Sequence, residues 1–223
     1  KKTKIRGVES SGMLCSLREL GLSEDHSGII IFHADTKLGI PLSEIYKDYV
    51  DTRIEIDNKS ITHRPDLWGH IGFARELSAI FGRKLKKNYF TDLNYNFAGD
   101  NKLSVEIKCP ESAYRYTGLV VKNIKIEESP DWLKARISAL GMRPINNIVD
   151  ITNYVMSEIG EPMHAFDRKK LSGDKIIVRM AEDTEKLSTL DGSEHNLTKD
   201  DIVIADSTKP IALAGVMGGA NSE

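Results

Sequence analysis

The residues between Met142 and Asp167 hold the densest set of groups able to do chemistry: Arg143, Asn146, Asn147, Asp150, Asn153, His164 and Asp167, set among apolar neighbours. Polar groups placed in an apolar helix need partners if they are buried. Two readings follow: a structural hydrogen-bond network tying a helix to a loop, or a pocket for a polar ligand. Pro162, just before Met163-His164, favours an extended and rigid approach to the imidazole. A histidine held that way suits acid–base or hydrogen-bond work, although a lone histidine is more often structural. The second signal is Leu213 to Ala220, where Gly215, Gly218 and Gly219 permit positive φ or close backbone approach. It reads either as a strand ending in a glycine turn or as a pocket wall of backbone amides. His63 and His70 lie about two helical turns apart, with no acidic ligand at a standard interval, so a metal site is not expected. The chain carries no phosphate-binding loop and no nucleophile elbow.

Those groups must be positioned by secondary structure. Ser129-Pro130 opens a helix whose stripe is Leu133, Ile137 and Leu140, ended by Gly141. Ile148, Ile151, Thr152, Val155 and Ile159 share one face of a second helix, closed by Gly160. After Gly160 the period changes to that of strands. Ile176 to Val178, a hairpin of residues 186–190 and 193–197 about Asp191-Gly192, Ile202 to Ala205, and Ile211 to Val216 follow in turn. Upstream, Leu103, Val105 and Ile107 alternate with polar residues, and Leu119 to Ile126 reads as a further strand. Strands are not regularly separated by helices, which predicts an α+β fold with a mostly antiparallel sheet and flanking helices. The first fifty residues read as the tail of a β-rich unit, with Gly28 to Phe32 as a buried strand, and the chain is expected to begin inside a domain. Asp66 is the expected N-cap of a helix carrying Leu67, Ile71, Ala74, Leu77, Ile80 and Phe81, stopped by Gly82. Arg83, Lys84, Lys86 and Lys87 follow, and residues 88–101 read as a linker. The ranges are therefore 1–50, 51–98 and 99–223.

Composition narrows the classes. Hydrophobic residues are 40% and charged residues 29% of 223, as in ordinary globular chains. No apolar run approaches the roughly 18 residues of a membrane span, and the Lys1–Arg6 start is not a signal peptide. Two cysteines, Cys15 and Cys109, read as reduced thiols. A net charge of −2 means that any nucleic-acid contact is local or belongs to parts of the protein outside this chain.

Arg143-Pro-Ile-Asn-Asn147, Val149-Asp-Ile-Thr-Asn-Tyr-Val-Met156 and Glu161-Pro-Met-His-Ala-Phe-Asp167 resemble the signature of the editing domain in the beta chain of bacterial phenylalanyl-tRNA synthetases. Thr189-Leu-Asp-Gly192 and Leu213-Ala-Gly-Val-Met-Gly-Gly219 fit the same pattern. Upstream, Lys4 to Gly7, Ser11 to Ser16 and Glu19 to Leu22 resemble the end of that subunit's OB-type tRNA-binding domain. Thr62-His-Arg-Pro-Asp66 and Gly72-Phe-Ala-Arg-Glu76 resemble the small helical segment after it, with His63 where the family often has Asn. The resemblance runs in one continuous order over nearly the whole chain.

It implies hydrolysis of the ester joining tyrosine to the phenylalanine tRNA. A synthetic pocket rejects an added hydroxyl poorly, so a second site must hydrogen-bond that hydroxyl. By motif position the resemblance places His164 as the catalytic or orienting residue, and Arg143, Thr152, Asn153 and Gly215 at the substrate. No covalent nucleophile is required. The family's pocket also uses a glutamate beyond the Met-Gly-Gly block. The chain stops at Glu223, so its pocket is expected to be incomplete. The resemblance further implies ATP and magnesium for the whole enzyme but no cofactor in this stretch, and cytoplasmic localisation. Its implied partners are tRNA(Phe) and the alpha subunit of an alpha2-beta2 assembly, with no membrane. Two other readings stand beside it: a non-catalytic tRNA-binding or subunit-assembly module, and a scaffold in which the polar motif is structural.

Overall fold

The computed structural model describes residues 2–86 and 103–222, so Lys87 and the linker expected at 88–101 lie outside the described residues. The chain divides into two compact units that do not follow chain order. Lys1–Ile61 joins Glu128–Tyr154 in the first, and Thr62–Glu127 joins Val155–Glu223 in the second.

The first unit opens with a hairpin of β1 (Thr3–Ile5) and β2 (Val8–Ser10). Arg6 and Gly7, at φ 51° and 84°, form a turn whose twist matches its strands. Helix α1 (Leu42–Ile45) and a 3-10 turn, Lys47–Tyr49, follow. The strand expected at Gly28 to Phe32 does not form. A strand exists only beside a partner, and among the described residues this run is tied by one backbone bond, from the Ile30 amide to the Cys15 carbonyl at 2.9 Å. Helix α3 (Asp131–Ala139) buries Leu133, Ala135 and Ile137 and packs against the Lys47–Tyr49 turn. Arg136 pairs with Asp51, and Lys134 with Asp131 and Glu128, each at 2.8 Å. Leu140, expected on the α3 stripe, caps the helix instead and is exposed.

Ser129 was the expected N-cap of α3, but its hydroxyl is spent elsewhere. It donates to Asp150 Oδ2 at 2.5 Å, while Asp150 Oδ1 accepts from the Ile145 amide at 2.9 Å. Asp150 is wholly buried in helix α4 (Asn147–Ile159). Asn146 caps that helix by accepting from the Ile148 and Val149 amides, both at 3.0 Å. The bounds of α4 and its stop at Gly160, φ +81°, agree with the sequence reading.

The second unit centres on a five-stranded sheet of β3 (Ser104–Ile107), β4 (Lys175–Met180), β7 (Ile202–Ala205), β8 (Pro210–Leu213) and β9 (Met217–Gly218), in that order. Only β3–β4 is parallel; the other pairings are antiparallel, so the α+β expectation holds. The hairpin β5 (Lys186–Ser188) and β6 (Glu194–Asn196) forms where the Asp191-Gly192 turn places it. Ala181, Leu187, Leu197 and Val203 make one buried cluster, with Ile176, Val178, Ala205 and Ile211 also out of water. Leu119 to Ile126, expected as a strand, has no ladder, and Leu119, Val121, Ile124 and Ile126 are exposed.

Asp66 does not cap a helix as expected. It lies in a 3-10 turn, Pro65–Trp68, and helix α2 (His70–Phe81) starts after Gly69. Its carboxylate takes the Arg64 guanidinium in two 2.8 Å bonds, and Arg64 also reaches Glu76 at 3.0 Å. Leu67 and Ile71 are buried, but Leu77, Ile80 and Phe81 are exposed, so the core-facing stripe is shorter than its periodicity. Gly82 closes α2 in the left-handed region, φ +61°. His70 Nδ1 lies 2.8 Å from the Ser157 carbonyl, a bond that requires the proton on that nitrogen. No helix among the described residues is long and apolar enough to cross a membrane.

Candidate functional site

His164 sits on the extended segment after α4, and its side chain is exposed. The Phe166 ring is 4.5 Å from the imidazole, centroid to centroid, tilted by 59°. The far edge of the imidazole lies over the backbone of Gly218. A β-carbon at position 218 would collide with His164 Cε1 and stand 2.9 Å from Nε2 and 3.0 Å from Leu190 Cδ1. Absence of a side chain at 218 is therefore what lets the ring rest there. The segment is anchored just beyond Phe166, where the Asp167 amide donates to the Ser222 carbonyl at 2.9 Å.

The glycine tail is laced between two elements. Gly219 donates to Ile211 at 2.8 Å, Leu190 to Gly218 at 3.1 Å and Ala220 to Ser188 at 2.9 Å. The Ser222 hydroxyl, fully buried, donates to the Ile211 carbonyl at 3.1 Å. Gly215 stands on the turn between β8 and β9 at φ +71°, exposed, with open space where a β-carbon would be. His164 and Gly215 thus belong to the second unit. Arg143, Thr152 and Asn153 belong to the first. Arg143 is exposed and Asn153 half-buried. The Thr152 hydroxyl donates to the Val149 carbonyl at 2.7 Å, leaving its oxygen as an acceptor only.

Of the polar residues singled out between 142 and 167, Asp150 and Asn146 are structural: one is a buried tie and the other a helix cap. Leu190 and Phe166 flank His164, although nothing in their residue types marks them as site residues. The hint was present, since Phe166 falls inside the same motif block and Leu190 inside the hairpin block. Spacing alone does not show that distant segments converge.

A second constellation looks catalytic on paper. His195 Nε2 is 3.1 Å from Thr189 Oγ1, and that hydroxyl donates to Asp191 Oδ1 at 2.6 Å. The Thr189 bond, helped by the Ser193 amide, holds the Asp191 carboxyl below its usual value. Thr189 is only 1% exposed, however, so no substrate reaches the hydroxyl. The trio fastens the β5–β6 turn.

Residues 112–223 match the B3/4 domain family. Over essentially its full length the chain is 46% identical to the phenylalanine–tRNA ligase beta subunit of Fusobacterium nucleatum, 47% to that of Protochlamydia amoebophila and 48% to that of Solibacter usitatus. It covers 100%, 100% and 98% of itself in these matches and spans about 27% of the length of each relative. The chain therefore belongs to the B3/4 domain family, in the form carried by the beta subunits of phenylalanine–tRNA ligases.

Proposed function

We propose that residues 99–223 form an editing domain that hydrolyses tyrosine wrongly esterified to tRNA(Phe), with His164 orienting the attacking water or the terminal adenosine. The observation that carries this reading is the exposed imidazole laid on the Gly218 backbone between Phe166 and Leu190. A ring seated against a rigid glycine tail is pre-positioned, as a group that orients substrate must be. An aminoacyl ester is already activated, so water needs placement more than a covalent nucleophile does. Arg143, Thr152, Asn153 and the Gly215 backbone are assigned to the substrate. No cofactor takes part in this hydrolysis. ATP and magnesium serve attachment elsewhere in the whole cytoplasmic enzyme, which pairs beta with alpha subunits as alpha2-beta2. Residues 1–50 and 51–98 are assigned to the OB-type and small helical parts.

The test is His164→Ala in the complete enzyme. Orientation through one neutral hydrogen bond contributes about 0.5–1.5 kcal/mol, so hydrolysis of tyrosyl-tRNA falls a few-fold to tenfold. A general base would cost about 10²–10⁴-fold. Phenylalanine attachment stays unchanged in either case. Normal hydrolysis by a folded variant would leave His164 structural.

One observation favours a second reading for the first unit. Leu14, Ile31 and Leu38 are exposed at 76%, 89% and 94%. Large apolar side chains so bare suit an assembly surface, in which case residues 1–61 serve subunit contact and not catalysis.

A further inference from the structure

The segment leaving His164 carries a charge run that the hydrolysis does not use. Arg168, Lys169 and Lys170 form a single 3-10 turn. Arg168 is held by Asp174 at 2.8 Å. Lys169 and Lys170 are exposed, and neither forms an ion pair among the described residues. The carboxylates around them face elsewhere. Asp167 accepts from the Lys169 amide at 3.0 Å, Asp174 faces Arg168, and Asp206 is buried. Asp206 also joins this segment to the β7–β8 turn, because it accepts from the Ser172 amide at 3.0 Å and the Lys209 amide at 2.9 Å. One buried carboxylate thus holds the backbone at 172 and at 209.

We infer that Lys169 and Lys170 grip the phosphate backbone of the RNA strand whose 3′ end reaches His164. The inference rests on the hydrolytic reading of His164 and adds a means of substrate capture. A stretch of net charge −2 gathers no polyanion by its overall field, so any grip it has on RNA is local. Five residue steps lead from His164 to Lys169, a span of at most about 18 Å. An RNA strand ending at His164 thus carries its preceding phosphates within reach of the lysines.

The experiment uses the whole alpha–beta enzyme with Lys169→Gln/Lys170→Gln, set beside Lys169→Arg/Lys170→Arg. Hydrolysis of tyrosyl-tRNA is followed from 50 to 200 mM salt. Loss of two phosphate contacts raises KM about tenfold at low salt, and that deficit shrinks about tenfold by 200 mM. The arginine variant keeps the wild-type KM and salt slope. Equal KM and equal slope in the glutamine variant, with normal wild-type hydrolysis, would overturn the surface and leave the His164 reading intact. If His164→Ala removes no hydrolysis, a tethered iron chelate at Lys169→Cys decides the surface separately. Cleavage of the tRNA acceptor strand supports it, and absence of cleavage overturns it.

Discussion

Asp206 is a carboxylate at 2% exposure, and burial alone would push its acid form up. Amides of Ser172, Thr208 and Lys209 with the Thr208 hydroxyl reverse that and hold it below its usual value. Asp206→Ala strands these part-buried donors, and urea unfolding is expected to show a loss of about 2 kcal/mol. Asp206→Asn keeps an acceptor oxygen and loses less. Glu185 gives a pH test. The Arg179 guanidinium, in bonds of 2.6 and 2.9 Å, holds its carboxyl below the ordinary value of 4.5. A depressed folded-state value means stability that is present above about pH 4.5 and lost as pH falls through the lower folded value. The difference in denaturation midpoint between wild type and Glu185→Gln is therefore full at pH 6 and shrinks as pH falls below about 4.5. A difference that does not shrink at all between pH 6 and pH 3 would show that the pair acts through packing.

At the scale of elements, glycines decide which close approaches survive. A β-carbon at Gly72 would overlap the Asp66 carbonyl oxygen, forcing α2 away from the Pro65–Trp68 turn. One at Gly160 meets Pro65 O at 3.2 Å in a left-handed conformation, whereas Gly82 opens on solvent at φ +61°. Alanine is expected to cost about 3 kcal/mol at 72 by overpacking, about 2 at 160 and about 1 at 82. Thermal unfolding of the three variants should keep that order. The same elements show what could be read from the residues. Helix α4 was legible in extent because its 3.6-residue period and its Gly160 stop agree, although Ile151 and Ile159 of the expected face are exposed and the Asn146 cap emerges only in the fold. The β5–β6 hairpin was legible because Asp191-Gly192 fixes its turn. Gly28 to Phe32 and Leu119 to Ile126 misled, because apolar runs state a preference for strand but do not supply the neighbour that completes one. For the site, the motif blocks named His164. They did not reveal that Gly218 is the surface its ring lies on, since that depends on how the tail is laced to β8 and the hairpin.

At the scale of the molecule, Ile31 and Leu38 are bare in the first unit. Ile31→Ser/Leu38→Ser should shift the unfolding free energy by no more than about 0.5 kcal/mol. If the assembly reading of that unit is right, the same change weakens retention of the alpha subunit in gel filtration; unaltered retention would remove that reading. The order of the sheet carries a different consequence. Its parallel pair matches Ser104 with Lys175, and the chain between them includes α3 and part of α4, which belong to the first unit. That ladder cannot begin to zip until roughly seventy further residues have left the ribosome. Meanwhile β3 waits as an unpaired edge with Val105 exposed to misregistered partners. Nascent chains stalled between Ile107 and Lys175 should therefore recruit chaperones more than chains released past Leu213, and refolding in vitro should be limited by closing this distant pair, not by forming the local hairpin.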